Sequence, residues 1–210
     1  MAEALTLREK KKAKTKFALL DAALELIGDG SFRDVLVDDI CERAEVSKVT
    51  FFKFFPQKEE LLVYYMSIWQ AECFIELQST DKRGWEAVRH IFAKVTSDGV
   101  KQPGIMLSLI SFLAEQKMHP SVPLLSDAEL HLRFPAHEER EAIRATDLHQ
   151  LFRKCVQEAA EDGQLALHLS EEEAVILLFS MFYGAYLTAH LFHVSDYMAC
   201  YELHLKSLIR

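Results

Sequence analysis

The sequence predicts an all-α protein, on three observations. Apolar residues recur every three to four positions through nearly every segment, which is the period of a helix. No stretch sustains the alternation of a half-buried strand. Only 7 glycines and 5 prolines occur in 210 residues, too few for the many tight turns of an all-β chain. About 50% of the residues are apolar, enough to bury a core, so intrinsic disorder is excluded.

The elements follow in order. Residues 1–16 hold Arg8, Lys10, Lys11, Lys12, Lys14 and Lys16 against Glu3 and Glu9 and read as a basic tail running into a helix. Phe17, Leu20, Leu24 and Ile27 mark the first apolar face, which ends at Gly28 and Gly30. Ile40 and Ala44 mark a short second helix. Ser47 is placed to cap a third, which must stop before Pro56. From Lys58 a long helix carries Leu62, Tyr65, Met66, Trp69 and Cys73 on one side. Trp85, Val88, Phe92 and Val95 give the next, and Pro103 with Gly104 separates it from one bearing Met106, Leu109, Ile110 and Leu113. Pro120, Pro123 and Pro135 make 119–137 a loop with at most a short helix. Leu148, Leu151, Phe152, Cys155 and Ala159 form an apolar face closed by Gly163. Ser170 with Glu173 is a capping box that opens an uncharged helix. Tyr197, Tyr201, Leu205 and Leu208 mark the last.

Composition bounds the function. The net charge is −8, which argues against coating nucleic acid by charge alone. Position sharpens this: residues 1–16 sum to +4 and residues 47–58 to +3, which leaves −15 on the rest. The four cysteines Cys41, Cys73, Cys155 and Cys200 form no close pair, and no secretory leader is seen. The expectation is a cytoplasmic protein with free thiols. Residues 174–195 lack Asp, Glu, Lys and Arg and are long enough to span a bilayer. Interrupting polar residues and the lack of a flanking basic cluster favour a helix buried in protein instead.

The most informative stretch is 37–55. Ile40, Cys41 and Ala44 supply small and apolar residues where two short helices would cross, Val46 fills the turn, and Phe51 and Phe55 anchor the second helix. Ser47, Lys48, Val49 and Thr50 would then form its outward-facing first turn, where a recognition helix meets base edges.

From Lys16 to Leu62 the chain resembles the tetracycline-repressor (TetR) family of bacterial transcription regulators. The matching residues are Ala22 and Ala23, Gly30 and Phe32, Ile40 and Cys41, Ala44 to Ser47, Phe51 to Phe55, then Lys58, Glu59 and Leu61. Five positions depart from the family pattern. Glu45 replaces a turn glycine, Phe52 and Phe54 replace tyrosines, Leu36 replaces a capping Ser or Thr, and Gln57 replaces a capping Ser. The resemblance implies a three-helix DNA-binding domain over 17–62 and a helical ligand-binding and dimerisation domain over 63–210. It also implies a homodimer on operator DNA and a small-molecule effector that separates the two heads.

Candidate DNA contacts are Ser47, Lys48, Val49, Thr50, Phe52, Lys53, Phe54 and Lys58, with Lys48 and Thr50 nearest base edges and Lys53 and Lys58 on phosphate. The basic tail could reach a minor groove. Candidate effector contacts are Trp69, Phe74, His90, Met106, Phe112, Met181 and Tyr183, an apolar and aromatic set. Candidate dimer contacts are Phe152, Cys155, Ser180, Gly184 and Thr188. The last three are spaced by four and permit close helix approach, across a dimer or within one subunit.

No phosphate loop, nucleophile elbow or Cys-x-x-Cys pair is present, so no enzyme, cofactor or catalytic residue is expected. His190 and His193, with Asp196, Cys200 and His204 beyond, are read as an accidental spacing and not a metal site. Two other readings remain open: a helical small-molecule- or partner-binding protein with a degenerate DNA-binding head, and a membrane-associated helical protein.

Overall fold

The computed structural model describes residues 5–118, 120–137 and 139–210. It is all-α, as expected. Among these residues the one β feature is an isolated antiparallel bridge between Leu165 and Ile209. Two compact units form, Met1–Ala71 with Gln102–Ala145, and Glu72–Lys101 with Thr146–Arg210.

The first unit opens with helix α1 (Leu7–Ile27). The basic segment is therefore helix from Leu7 onward and not a tail. Thr6 and Glu9 form a capping box in which each satisfies the other's amide, and it starts the helix ahead of the lysine run. A 3-10 turn (Phe32–Asp34) leads to α2 (Val37–Arg43) and α3 (Lys48–Phe54). The long α4 (Glu60–Gln78) starts two residues later than Lys58 and runs on into the second unit.

Helix α5 (Gly84–Lys101) belongs to the second unit. Helices α6 (Pro103–Ala114), α7 (Asp127–Arg133) and α8 (Arg140–Ala145) return to the first. Helix α7 is the short helix allowed within the proline-rich stretch, and a Ser126–Glu129 capping box nucleates it. Helix α8 has no counterpart in the periodicity reading.

Aromatic rings connect the first unit's core. Phe51 lies 5.9 Å from Phe55, Phe55 5.6 Å from Tyr64, and Tyr64 6.3 Å from Phe17. The segment between α1 and α2 is held from two sides. The amide of Gly104 donates to the carbonyl of Gly28 at 3.0 Å, and the amide of Phe32 donates to Ser108 Oγ at 3.0 Å. A Cβ on Gly104 would sit 2.2 Å from the Gly30 carbonyl oxygen, so only glycine allows this approach.

One charge in the first unit is deeply buried. Glu129 accepts from Lys16, from Tyr64 Oη at 2.7 Å, and from the amide and hydroxyl of Ser126 at 2.8 and 2.6 Å. Burial alone would raise its carboxyl. The hydrogen bonds from Lys16, Ser126 and Tyr64 and the Lys16 charge outweigh that and hold it below the usual value. The Lys16 ammonium also lies 4.0 Å over the Tyr64 ring.

The second unit packs α5 against α9 (Leu148–Glu161), and both α9 and α11 (Tyr197–Leu205) against α10 (Glu171–Leu191). Its centre is Phe92 stacked on Tyr201 at 4.4 Å, with the Tyr201 hydroxyl donating to the Phe182 carbonyl at 2.7 Å. Gly163, in left-handed backbone at φ +67°, ends α9 as expected, with the Gln164 amide returning to the Ala159 carbonyl. Ser170 and Glu173 form the capping box of α10, also as expected. Lys94 lies nearly buried among Glu72, Glu76 and Asp98 at 3.4, 2.9 and 3.4 Å.

Replacing Lys16 with Met should cost about 3 kcal/mol, because Glu129 is then left buried with its charge uncompensated. The Glu129 contribution is present above its unfolded pKa of 4.5 and fades as pH falls through the lowered folded value. Urea unfolding at pH 7 and pH 4 measures both effects. The penalty of K16M at pH 7 should shrink at the lower pH.

Candidate nucleic-acid interface

The turn between α2 and α3 is tight. The amide of Val46 returns to the Cys41 carbonyl at 2.9 Å and that of Glu45 to Glu42 at 3.1 Å, the pattern of a left-handed helix cap. Glu45 occupies the left-handed position at φ +54°, where the TetR pattern has glycine. A side chain there costs on the order of 1 kcal/mol. The other end of α2 carries a second cost: Leu36 is its N-cap residue, makes no side-chain cap bond, and is exposed.

Helix α3 is well started. Ser47 Oγ accepts from the Thr50 amide at 3.2 Å and lies 3.0 Å from the Thr50 hydroxyl. Phe51 and Phe55 turn inward and are buried, as expected. Val49 is 80% exposed and Phe52 47% exposed, while Thr50 and Phe54 are half-buried. Lys48 is exposed and pairs with Asp38 of α2 at 2.5 Å. A pair so exposed is worth little and breaks easily when phosphate approaches.

The helical form of the basic segment adds something periodicity did not suggest. Spacing along α1 brings Leu7, Arg8, Lys11, Lys12 and Thr15 onto one side, where they join Thr50, Lys53 and Phe54 of α3 around a groove of about 570 Å³. Four cations thus line one channel beside α3. The charge runs in the sequence contain the signal, and the capping box at Thr6 is what turns a run into a face.

Lys58 has a different role from the phosphate contact expected of it. Its ammonium donates to the carbonyls of Phe32, Arg33 and Val35 at 2.8, 3.1 and 2.9 Å and lies 4.8 Å over the Phe32 ring. An ammonium has three hydrogens, and all three are used. Lys58 holds the 3-10 turn.

The seven candidate effector residues divide between the units. Trp69, Met106 and Phe112 lie in the first, and Phe74, His90, Met181 and Tyr183 in the second. Trp69, Met106 and Met181 are buried. Phe112 lines a groove of about 600 Å³ with Phe54, Phe55, Val63 and Tyr64. Phe74 lines a cavity of about 200 Å³ with Leu77, Lys82, Gln150, Leu151 and Lys154. Burial pushes the Tyr183 hydroxyl up to about 12. His90 is part of an ionic cluster, with Nε2 3.1 Å from Glu76 and Nδ1 3.0 Å from Lys82 Nζ.

The five candidate dimer residues also separate. Phe152 and Cys155 are buried within the second unit's own core and cannot touch a partner. Phe152 meets Phe92, Phe179 and Phe182 at 6.2, 5.3 and 6.1 Å, and burial raises the Cys155 thiol to about 12. Ser180 and Thr188 are exposed, and a Cβ on Gly184 would meet nothing within 4 Å. Among the described residues, no group of three or more His, Cys, Asp or Glu side chains is gathered as a metal would require.

Known proteins share this fold. The reduced form of NemR from E. coli superposes with a TM-score of 0.61 at 16% identity, over 93% of this chain and 98% of that one. The transcriptional regulator FadR from Bacillus subtilis, in complex with stearoyl-CoA, gives 0.62 at 17% over 90% and 95%. FadR from Thermus thermophilus, a TetR-family transcriptional repressor in complex with lauroyl-CoA, gives 0.57 at 20% over 91% of each. No curated protein matches the sequence significantly. Residues 19–65 match the family described as bacterial regulatory proteins, tetR family.

Both departures around α2 are open to measurement. Leu36→Ser should stabilise the protein by about 1 kcal/mol by supplying the missing cap. Glu45→Gly should stabilise by up to about 1 kcal/mol, relief of strain outweighing the greater freedom of the unfolded glycine. Thermal unfolding of the two variants checks this, and a loss of stability in either would contradict the cap geometry.

The helix–turn–helix of α2 and α3 falls within residues 19–65, the segment that matches the tetR family of bacterial regulatory proteins.

Proposed function

We propose that this protein is a ligand-responsive repressor that binds a palindromic operator as a homodimer and leaves it when a small apolar or aromatic effector binds. The observation that carries the reading is the exposed first turn of α3 beside the groove of Arg8, Lys11, Lys12 and Lys53. Base edges and flanking phosphates of one major groove need that pairing of surfaces. In place of Lys58, Lys12 and Lys11 supply the phosphate contacts.

One such head covers few base pairs, so a two-fold dimer on a two-fold site is the economical arrangement. Helix α10 supports it. Ile176, Ser180, Gly184, Thr188 and Leu191 run along one side without a cover from their own chain, and an apolar stripe of that kind needs a partner. By length and composition α10 could cross a membrane. Its opposite side packs on α9 and α11, which supports a core helix in a cytoplasmic protein without a membrane partner. Residues of the effector set other than His90 supply apolar surface, and acyl-CoA in two proteins of the same fold supports an apolar effector. Release is a population shift: the effector binds the DNA-incompetent state more tightly than the competent one.

A second reading, a helical binding protein with a degenerate head, is favoured by Asp38 on Lys48 and by the lost hydroxyls at Phe52 and Phe54. Gel shifts with the DNA next to the protein's own gene separate the two. Salt-sensitive binding to a palindrome is expected, and its absence would leave the second reading. Replacing Lys11, Lys12 or Lys53 with Ala should each lower the slope of log affinity against log salt by about 1.8, because the dimer loses the contact in both heads.

Gly184→Leu should abolish the dimer while leaving the subunit folded, since the added side chain meets open space within the chain. Sedimentation with circular dichroism reads both. A dimer that survives the substitution would place the interface elsewhere.

A further inference from the structure

We infer that the operator is recognised through thymine methyl groups set against Val49 and Phe52. The inference rests on the DNA-binding reading above and concerns what that site reads. In the major groove, bases are told apart by hydrogen bonds from Arg, Lys, Asn, Gln, Asp, Glu, Ser or Thr, and by apolar contact with the C5-methyl of thymine. Helix α3 reads Lys-Val-Thr-Phe-Phe-Lys-Phe and holds no Arg, Asn, Gln, Asp or Glu. Its hydrogen-bonding groups have other partners. Lys48 is on Asp38 at 2.5 Å, and once that exposed pair opens its ammonium is a point charge that suits phosphate as well as a base edge. The Thr50 hydroxyl lies 3.0 Å from Ser47 Oγ, which is itself occupied in capping the helix. Lys53 turns toward the basic groove against α1.

What remains on the outward surface is apolar. Val49 is 80% exposed and Phe52 47% exposed, and their spacing of three puts them on one face. The Phe52 ring is held edge-on to the buried Phe51, at 5.3 Å and 79°, so little freedom is lost when it docks. The cations of the adjacent groove complement phosphate beside this apolar patch. The one apolar feature a base edge offers there is the thymine methyl, and burying a methyl group is worth about fourfold in affinity.

The test begins with selection of binding duplexes from a random-sequence pool by the full-length protein. Deoxyuridine then replaces thymidine at each position in turn, which removes the methyl and keeps every hydrogen-bonding group. One or two positions in each half-site should lose about fourfold in affinity. That sensitivity should disappear in Val49→Ala or Phe52→Ala, each at its own position. Val49 is so exposed that V49A leaves the fold intact, and circular dichroism checks F52A. A consensus unaffected by every deoxyuridine, or equally affected in both variants, would overturn the inference while leaving a DNA-binding protein. A pool that yields no consensus would overturn the DNA-binding reading itself and the inference with it.

Discussion

The backbone between α1 and α2 carries amides and carbonyls that neither helix can satisfy, and the first unit is organised around satisfying them. Buried backbone groups without partners cost roughly 1–3 kcal/mol each. Three anchors remove that cost here. Lys58 takes three carbonyls, Ser108 takes the Phe32 amide, and Gly104 donates to Gly28. They come from just ahead of α4 and from the first turns of α6. The segment therefore fixes α2 to two helices at once. Since α3 is held to α2 by a four-residue turn, its direction is set by the same anchors. The tightness at Gly104 means that α6 cannot slide over Gly28 and Gly30 without breaking the contact.

Two lysines are thereby withdrawn from the surface. Lys58 is committed to the turn and Lys16 to Glu129. The basic residues left to meet an anion are those that the α1 extension and α3 bring together. This division is physical and not positional. A lysine stem long enough to reach a buried carbonyl or carboxylate will satisfy it, because the alternative is an unpaired group in a low-dielectric interior.

Much of this was legible in the sequence, and the exceptions share a cause. Ser47, Gly163 and the Ser170–Glu173 pair mark helix ends through bonds three to five residues long, and all stand as read. The same local pattern occurs at Thr6–Glu9 and Ser126–Glu129, where a lysine run and neighbouring prolines draw attention away from it. Lys16 meets a partner 113 residues on and Lys58 partners 23 to 26 residues back. No period or spacing encodes such pairs. For Phe152 and Cys155, periodicity identifies an apolar face correctly but says nothing of which surface covers it. Their own α5 and α10 do, which leaves the α10 stripe as the uncovered one.

The acidic residues near α3 fit the same logic. Asp38 and Glu45 stand beside the turn into α3, and the residues outside the two basic segments sum to −15. Each reduces attraction to any phosphate backbone, whatever its sequence. Non-specific affinity for DNA is almost wholly electrostatic, so these charges lower it directly, while contacts with base edges are lost only if geometry is lost. An exposed Lys48–Asp38 pair costs under about 1 kcal/mol to open. It leaves Asp38 facing the duplex afterwards, a penalty that only a well-fitted site repays. On the DNA-binding reading proposed above, a head built this way gives up affinity in general and keeps discrimination. The rigidity supplied by Lys58, Ser108 and Gly104 is then a requirement, because a small apolar contact discriminates only when held in place.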